Sequence, residues 1–260
     1  MPHPSKTKLS SGTDYYVYGI NSALEILAQA KFNVVSVTLM IDSAADKDPR
    51  ILKLLKQGQA KITKLSREKF TDRFGNLRTQ GIIVNFSGQI VSNLPRFENI
   101  DSNFCLLVLD QIEDPQNLGQ IIRTADCAGV NGIILTRHHS AGITNTALQV
   151  SQGAFCHIPI YESGNLHRTL ELLKTNDFWI TGIENSIDNK PWYALDYTGK
   201  TAIVFGSEGS GIRKLVLVTC DFLATIPMQG QLESLNVTAA VSAVVFERQR
   251  QLMAIQVPQS

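Results

Sequence analysis

Residues 104–129 read FCLLVLDQIEDPQNLGQIIRTADCAG, an apolar run followed by a segment of different period. Phe104–Leu109 has no polar position on either face, as expected of a strand covered on both sides. Asp114 then stands where a helix N-cap belongs, and Pro115 occupies the first helical position, where its missing N–H is no loss. Leu118, Ile121, Ile122 and Ala125 fall on one helical arc, with Gln116, Asn117, Gln120, Arg123 and Thr124 on the other. An exposed arc usually mixes Lys with Glu, whereas this one carries amides, a threonine and one arginine, whose planar fork suits a phosphate. A doubly covered strand leading into a helix is the unit of a parallel α/β sheet.

The alternation continues on both sides of this stretch. Downstream, Gly132–Leu135, His157–Ile160, Phe178–Ile183, Thr201–Phe205 and Phe222–Ile226 read as strands, with helical segments between most of them. In such sheets a ligand sits beyond the carboxyl ends of the strands. Upstream, Gly19–Ala30 has helical apolar spacing and Val34–Ile41 is β-rich. Pro49–Gln57 is a short helix opened by Asp48, and a Ser66-capped helix separates strands at Ala60–Leu65 and Ile82–Phe86. The expected organisation is a flexible tail over 1–13, a small αβα domain over 14–90, a linker over 91–102 and a larger α/β domain over 103–260. The linker is expected because residues 87–102 are polar and carry Gly, Pro and Asn.

Composition narrows the class. The chain has 260 residues, 43% of them apolar and 18% charged, the profile of a globular protein with a sizeable core. No apolar run approaches the roughly 18–20 residues a membrane helix needs, and the polar N-terminus lacks a secretory apolar region; a cytoplasmic protein is expected. Cys105, Cys127, Cys156 and Cys220 are far apart with no CxxC pair, so buried reduced thiols are expected and a metal site is not. Net charge is +1, but residues 1–98 hold 14 Lys and Arg against 8 Asp and Glu, while residues 99–260 hold 10 against 15. The basic half could face a polyanion, or present an ordinary solvated surface.

Two further stretches carry unusual residues. Ile203–Gly211, IVFGSEGSG, runs a strand into three glycines with Glu208 among them. Glycines there let backbone groups approach a ligand closely, or serve only a strand-to-helix turn. Their GxxGxG spacing is neither the GxGxxG of dinucleotide-binding folds nor a GxxxxGK[ST] phosphate loop, which argues against nicotinamide and nucleotide-triphosphate chemistry. Ile226–Arg250, IPMQGQLESLNVTAAVSAVVFERQR, ends a strand at Pro227 and opens an apolar helix near Leu235, expected to be buried on most sides or to form a subunit interface. Ser234 and Asn236 are natural caps for it and could also hold a ribose hydroxyl.

Together the three stretches resemble the signature motifs of the SpoU branch of the SPOUT RNA methyltransferases. The first motif resembles Asp114-Pro115-Gln116-Asn117-Leu118-Gly119 with Ile122-Arg123-Thr124-Ala125. The second resembles Gly206-Ser207-Glu208-Gly209-Ser210-Gly211. The third resembles Ile226-Pro227-Met228-Gln229-Gly230 with Ser234-Leu235-Asn236-Val237; Thr238-Ala239 after it is a mild departure. The first half resembles the accessory RNA-binding domain of bacterial 23S rRNA (guanosine-2′-O-)-methyltransferases at Tyr18-Gly19-Ile20-Asn21 and Gln80-Gly81, although Thr79 stands where relatives often have His. The resemblance implies a SPOUT domain with a parallel sheet and a deep trefoil knot, a homodimer with active sites at its interface, and S-adenosyl-L-methionine-dependent 2′-O-methylation of RNA, a guanosine of 23S rRNA foremost. Arg123, Asn117, Glu208, Ser234 and Asn236 are the implied catalytic set. Leu135, Thr136, Gly206, Glu208, Gly211, Ile226, Met228 and Leu235 are the implied cofactor contacts, with no metal and no membrane partner. A tRNA methyltransferase and a non-catalytic ribosome-assembly protein are the alternatives.

Overall fold

The computed structural model describes residues 14–75, 77–185 and 190–256, in two compact units that divide after Gln89.

The first unit runs β1 (Asp14–Tyr18), α1 (Ile20–Ala28), β2 (Asn33–Met40), α2 (Ala44–Lys47), α3 (Pro49–Gln57), β3 (Lys61–Leu65), α4 (Arg67–Phe74) and β4 (Ile82–Ser87). Its mixed sheet has the order β1-β4-β2-β3. The caps read from the sequence form: Asp48 accepts from the Arg50 amide and Ser66 from the Lys69 amide. The two stretches that carry the accessory-domain resemblance meet, since the Ile20 amide donates to Gln80 Oε1 at 2.8 Å. Thr79 is buried, and its hydroxyl accepts from the Gly81 amide at 3.2 Å.

The second unit continues with β5 (Val91–Asn93), β6 (Cys105–Leu109), α5 (Pro115–Cys127), β7 (Gly132–Thr136), α6 (Asn145–Ser151), β8 (Ile160–Ser163), α7 (Leu166–Lys174), β9 (Trp179–Ile183), β10 (Lys190–Pro191), β11 (Thr201–Phe205), α8 (Lys214–Leu217), β12 (Phe222–Thr225) and α9 (Val237–Gln256). Its sheet has the order β10-β12-β9-β11-β6-β7-β8-β5, and every pairing in it is parallel. Each residue of β6, β7 and β11 is buried, as strands covered on both faces must be. One face buries Leu106, Val108, Ile180, Ala202 and Val204 with Leu166, Leu170 and Leu173 of α7 and Val216 of α8. From β6 the chain winds to β7 and β8, then crosses to build β9, β11 and β12 on the other side of β6. The direction of winding therefore reverses between β6 and β11, which opens a crevice at their carboxyl ends.

Four sequence expectations shift. The 91–102 linker contains β5, whose Val91, Ser92 and Asn93 pair with Ile160, Tyr161 and Glu162 of β8. Phe97 in the same stretch is buried against Phe178, ring centroids 5.4 Å apart; two apolar anchors outweigh the polar composition around them. The strand expected at His157–Ile160 starts only at Ile160, because a 3₁₀ turn at Ala154–Cys156 occupies the chain and Pro159 cannot donate to a ladder. The last helix begins at Val237 and buries one stripe, Val237, Val241, Val244, Val245 and Arg248, leaving Phe246, Met253 and Ile255 exposed. Of the four cysteines, Cys127 is exposed on α5. Burial pushes the Cys105 thiol up to about 11 and the Cys220 thiol up to about 12, so both stay protonated at neutral pH.

Candidate active site

The turns after β9, β11 and β12, three adjacent strands, wall a cleft of about 650 Å³ together with the start of α9. Its apolar lining includes Ile183, Phe205, Ile226, Met228, Leu235 and Val237, and its polar lining includes Glu184, Asn185, Glu208 and Asn236.

The wall after β11 is a tight loop closed by two reciprocal backbone bonds, Ser207 amide to Gly211 carbonyl at 3.2 Å and Gly211 amide to Ser207 carbonyl at 3.1 Å. Gly211 sits at φ +65°, in the left-handed region that a side chain disfavours. Gly206 has a different reason to be glycine. A Cβ there would lie 2.1 Å from the Gly211 carbonyl carbon and 2.3 Å from the Ile212 amide nitrogen.

Beyond the loop the chain is pinned to the sheet. The carboxylate of Asp110, fully buried at the end of β6, accepts from the Arg213 amide at 3.0 Å and from Arg213 Nε at 2.8 Å. Arg213 Nη2 lies 2.7 Å from the same carboxylate. The fork shields the buried charge that would otherwise be costly. It also fixes where the chain leaves the loop.

At the rim the motifs meet. Glu208 Oε1 accepts from Asn117 Nδ2 at 2.8 Å and from Asn236 Nδ2 at 2.6 Å, and Asn236 Nδ2 also donates to Asn117 Oδ1 at 3.2 Å. Asn236 Oδ1 in turn accepts from the Thr238 amide at 2.8 Å, so this residue caps α9 while it joins the cluster. Asn117 is buried although it lies on the polar arc of α5. Its neighbour Gly119 explains how that helix can sit so deep: a Cβ there would meet the Ala147 carbonyl oxygen at 2.6 Å, so α5 and α6 touch backbone to backbone. Glu208 also lies on the wall of a second cavity, of about 370 Å³, lined by residues 111–114 and by Asn117, Ser207, Ser210 and Val237.

The remaining expected residues divide. Gly206, Glu208, Gly211, Ile226, Met228 and Leu235 line the cleft, and so does Ser234, without a place in the cluster. Leu135 and Thr136 are buried at the end of β7, which lies beyond β6 from β11, and they do not line the cleft. Arg123 is exposed in a separate groove with Gln120, Thr124, Gln149, Val150 and Gln152. Six residues of helix put it about 9 Å along the axis from Asn117. Sequence reasoning missed Glu184, Asn185, Asp110 and Arg213. The first two directly follow β9, so the rule that ligands gather at carboxyl strand ends would have named them had it been applied to every strand.

The SpoU rRNA Methylase family model matches residues 105–246, which span all of these turns. The chain belongs to that family. Among its curated relatives, a 23S rRNA (guanosine-2′-O-)-methyltransferase RlmB of Xylella fastidiosa is 33% identical over 243 residues, covering 91% of this chain and 96% of the relative. One of the same name from Shewanella oneidensis is 33% identical over 242 residues, covering 90% and 96%. Among solved structures, the SpoU methyltransferase AviRb of Streptomyces viridochromogenes, in complex with the cofactor AdoMet, superposes with a TM-score of 0.77 at 18% identity, covering 93% of this chain and 91% of that one. An AdoMet-bound rRNA methyltransferase of Sinorhizobium meliloti gives 0.75 at 20%, covering 92% and 88%. These structural likenesses concern the fold. Within the SpoU family's matched span, no cluster of His, Cys, Asp and Glu that could hold a metal occurs among the described residues.

Proposed function

We propose that this chain is an S-adenosyl-L-methionine-dependent RNA 2′-O-methyltransferase acting on a guanosine of 23S rRNA in the cytoplasm, as a homodimer with its C-terminal end threaded in the family's trefoil knot. The observation that carries the reading is the Asn117–Glu208–Asn236 cluster, which ties all three motifs together at the rim of a cleft at the carboxyl ends of parallel strands. The cleft fits the donor chemically: among the described residues its lining pairs an apolar slot for a flat base with carboxylates and no Lys or Arg, a setting that favours a cation.

The donor supplies a methyl group on a positive sulfonium. The protein's part is to hold the acceptor oxygen in line with it. The Gly206–Gly211 turn and the Ile226 and Leu235 backbones form the donor's wall. Asn117 and Asn236 fix the Glu208 carboxylate, and Ser234 and Asn236 position a ribose. Arg123 clamps the target phosphate and steers the 2′-hydroxyl. A guanidinium stays protonated in proteins, so the hydroxyl proton leaves to phosphate or water. Because Arg123 opens onto another groove, it serves the cleft of a second copy, and the exposed Phe246, Met253 and Ile255 of α9 supply apolar surface for that pairing.

Calorimetric titration with S-adenosyl-L-methionine, followed by mass-spectrometric mapping of ribose methylation in 23S rRNA and tRNA, tests the proposal. Silence in the titration ends the enzyme reading, and methyl groups found in tRNA alone move the substrate. A chain lacking residues 1–89, cut before β5, should bind rRNA at least about tenfold more weakly with donor affinity unchanged, through lost phosphate contacts. Equal rRNA affinity would remove the first unit from substrate binding.

A further inference from the structure

Glu184 belongs to none of the three motifs, yet it is built into the cleft. It follows the last residue of β9, the middle strand of the three whose turns form the walls. Its carboxylate accepts from the Ile212 amide at 2.9 Å through Oε2 and from the Asn185 amide at 3.3 Å through Oε1. A Cβ on Gly211 would lie 2.8 Å from either oxygen, so the glycine turn leaves room for this charge in particular. Asn185 beside it is held in turn by the Thr225 hydroxyl, which donates to its Oδ1 at 3.3 Å, and by a bond from its Nδ2 to the Glu233 carbonyl. A carboxylate is an acceptor through both of its oxygens, and the two amides fix where this one stands in the cleft wall.

We infer that Glu184 reads the ribose of the methyl donor, its carboxylate accepting from the vicinal hydroxyls. The inference rests on the donor reading proposed above. A donor with its base on Ile226, Met228 and Leu235 and its sulfonium toward Glu208 has its sugar between the two ends. The sugar is also the segment with two adjacent hydroxyl donors, and a fixed carboxylate accepts from such a pair in a bidentate manner. Backbone contacts to a base recognise its shape and edge; a carboxylate on the diol adds selection for an intact ribose, since each hydroxyl lost leaves charge unsatisfied.

The test measures binding rather than turnover. S-adenosylhomocysteine, the same compound lacking both ribose hydroxyls, and the same compound lacking its amino group are titrated calorimetrically into the full chain, its Glu184→Ala variant and its Glu184→Gln variant. The full chain should prefer the intact ribose about tenfold or more, the range for hydrogen bonds to a charged group. Glu184→Ala should bind S-adenosylhomocysteine more weakly and lose that preference. Glu184→Gln keeps an oxygen for the Ile212 amide and gives up only the longer, exposed bond from the Asn185 amide; its thermal midpoint should shift little while most of the preference is lost, so it decides the matter if the alanine variant fails to fold. A variant that merely loosened the turn would weaken all three compounds alike and keep the preference, which overturns the assignment. So does a preference that disappears for the amino group instead of the diol, or its absence from the full chain. If the full chain binds none of the three compounds, the donor reading itself falls.

Discussion

Gly206→Ala should abolish measurable donor binding while the first unit stays folded. The added methyl would sit 2.1 Å from the Gly211 carbonyl carbon and 2.2 Å from its oxygen. These are backbone atoms, held by the two reciprocal bonds of the turn and by the Arg213–Asp110 fork behind it. No rotamer change relieves the overlap, so the wall of the cleft itself must move. Overpacking of this kind costs about 1–3 kcal/mol, seen as a drop of several degrees in the melting midpoint. Donor affinity should fall by about a hundredfold or more, because a displaced wall loses several contacts at once. Gly230, in the third motif, is the matched control: nothing lies within 4 Å of a Cβ placed there. Gly230→Ala should shift stability by no more than about 0.5 kcal/mol and leave donor affinity near that of the unaltered chain. Normal donor binding by Gly206→Ala would show that the turn is not a rigid wall.

Arg123→Ala should lower kcat/KM for RNA methylation by about a hundredfold or more and leave donor affinity unchanged. The side chain is exposed, outside the cleft and without a hydrogen-bond or ion-pair partner among the described residues, so its removal disturbs no packing. If Arg123 is the phosphate clamp proposed above, what disappears is a bidentate contact and the positioning it confers, effects of about 1.5–3 kcal/mol and about a hundredfold respectively. Arg123→Lys separates a clamp from a base. A lysine keeps the charge without the planar fork and should recover only part of the activity, with no new ionisation. Full activity together with a new pKa in the rate profile would reverse the assignment. Mixing Arg123→Ala with a second inactive variant, Gly206→Ala, adds a test of where the arginine acts: heterodimers should regain activity at one of two sites if it serves the partner's cleft.

Much of the second unit was legible because its signals are local. Asp114 with Pro115 marks the start of α5, and the apolar run Thr201–Phe205 coincides with β11. Capping and strand burial depend on neighbours in sequence, which a linear reading sees. The β5 strand was hidden because three residues, Val91–Asn93, pair only through a partner nearly seventy positions away. Asp110 and Arg213 were passed over for the same reason: each looks like an ordinary charged residue until the fold brings the two together across 103 positions. The composition of α9 suggested burial on most sides or a subunit interface, but composition does not say which stripe packs within the chain. The position of Arg123 on α5 followed from helical geometry; its separation from the cleft did not, because depth depends on how closely Gly119 lets that helix approach its neighbour.

Asn117 and Asn236 are 119 positions apart, and both bond to Glu208 between them. Contacts of such long range carry a large loop-closure cost. During synthesis the nascent chain can finish its first unit and most of the second sheet with the rim still open. The cluster closes only once the opening residues of α9 have docked, so the rim is completed by a segment that begins at Asn236, and a chain cut before it would keep the strands of the sheet and lack one side of the rim.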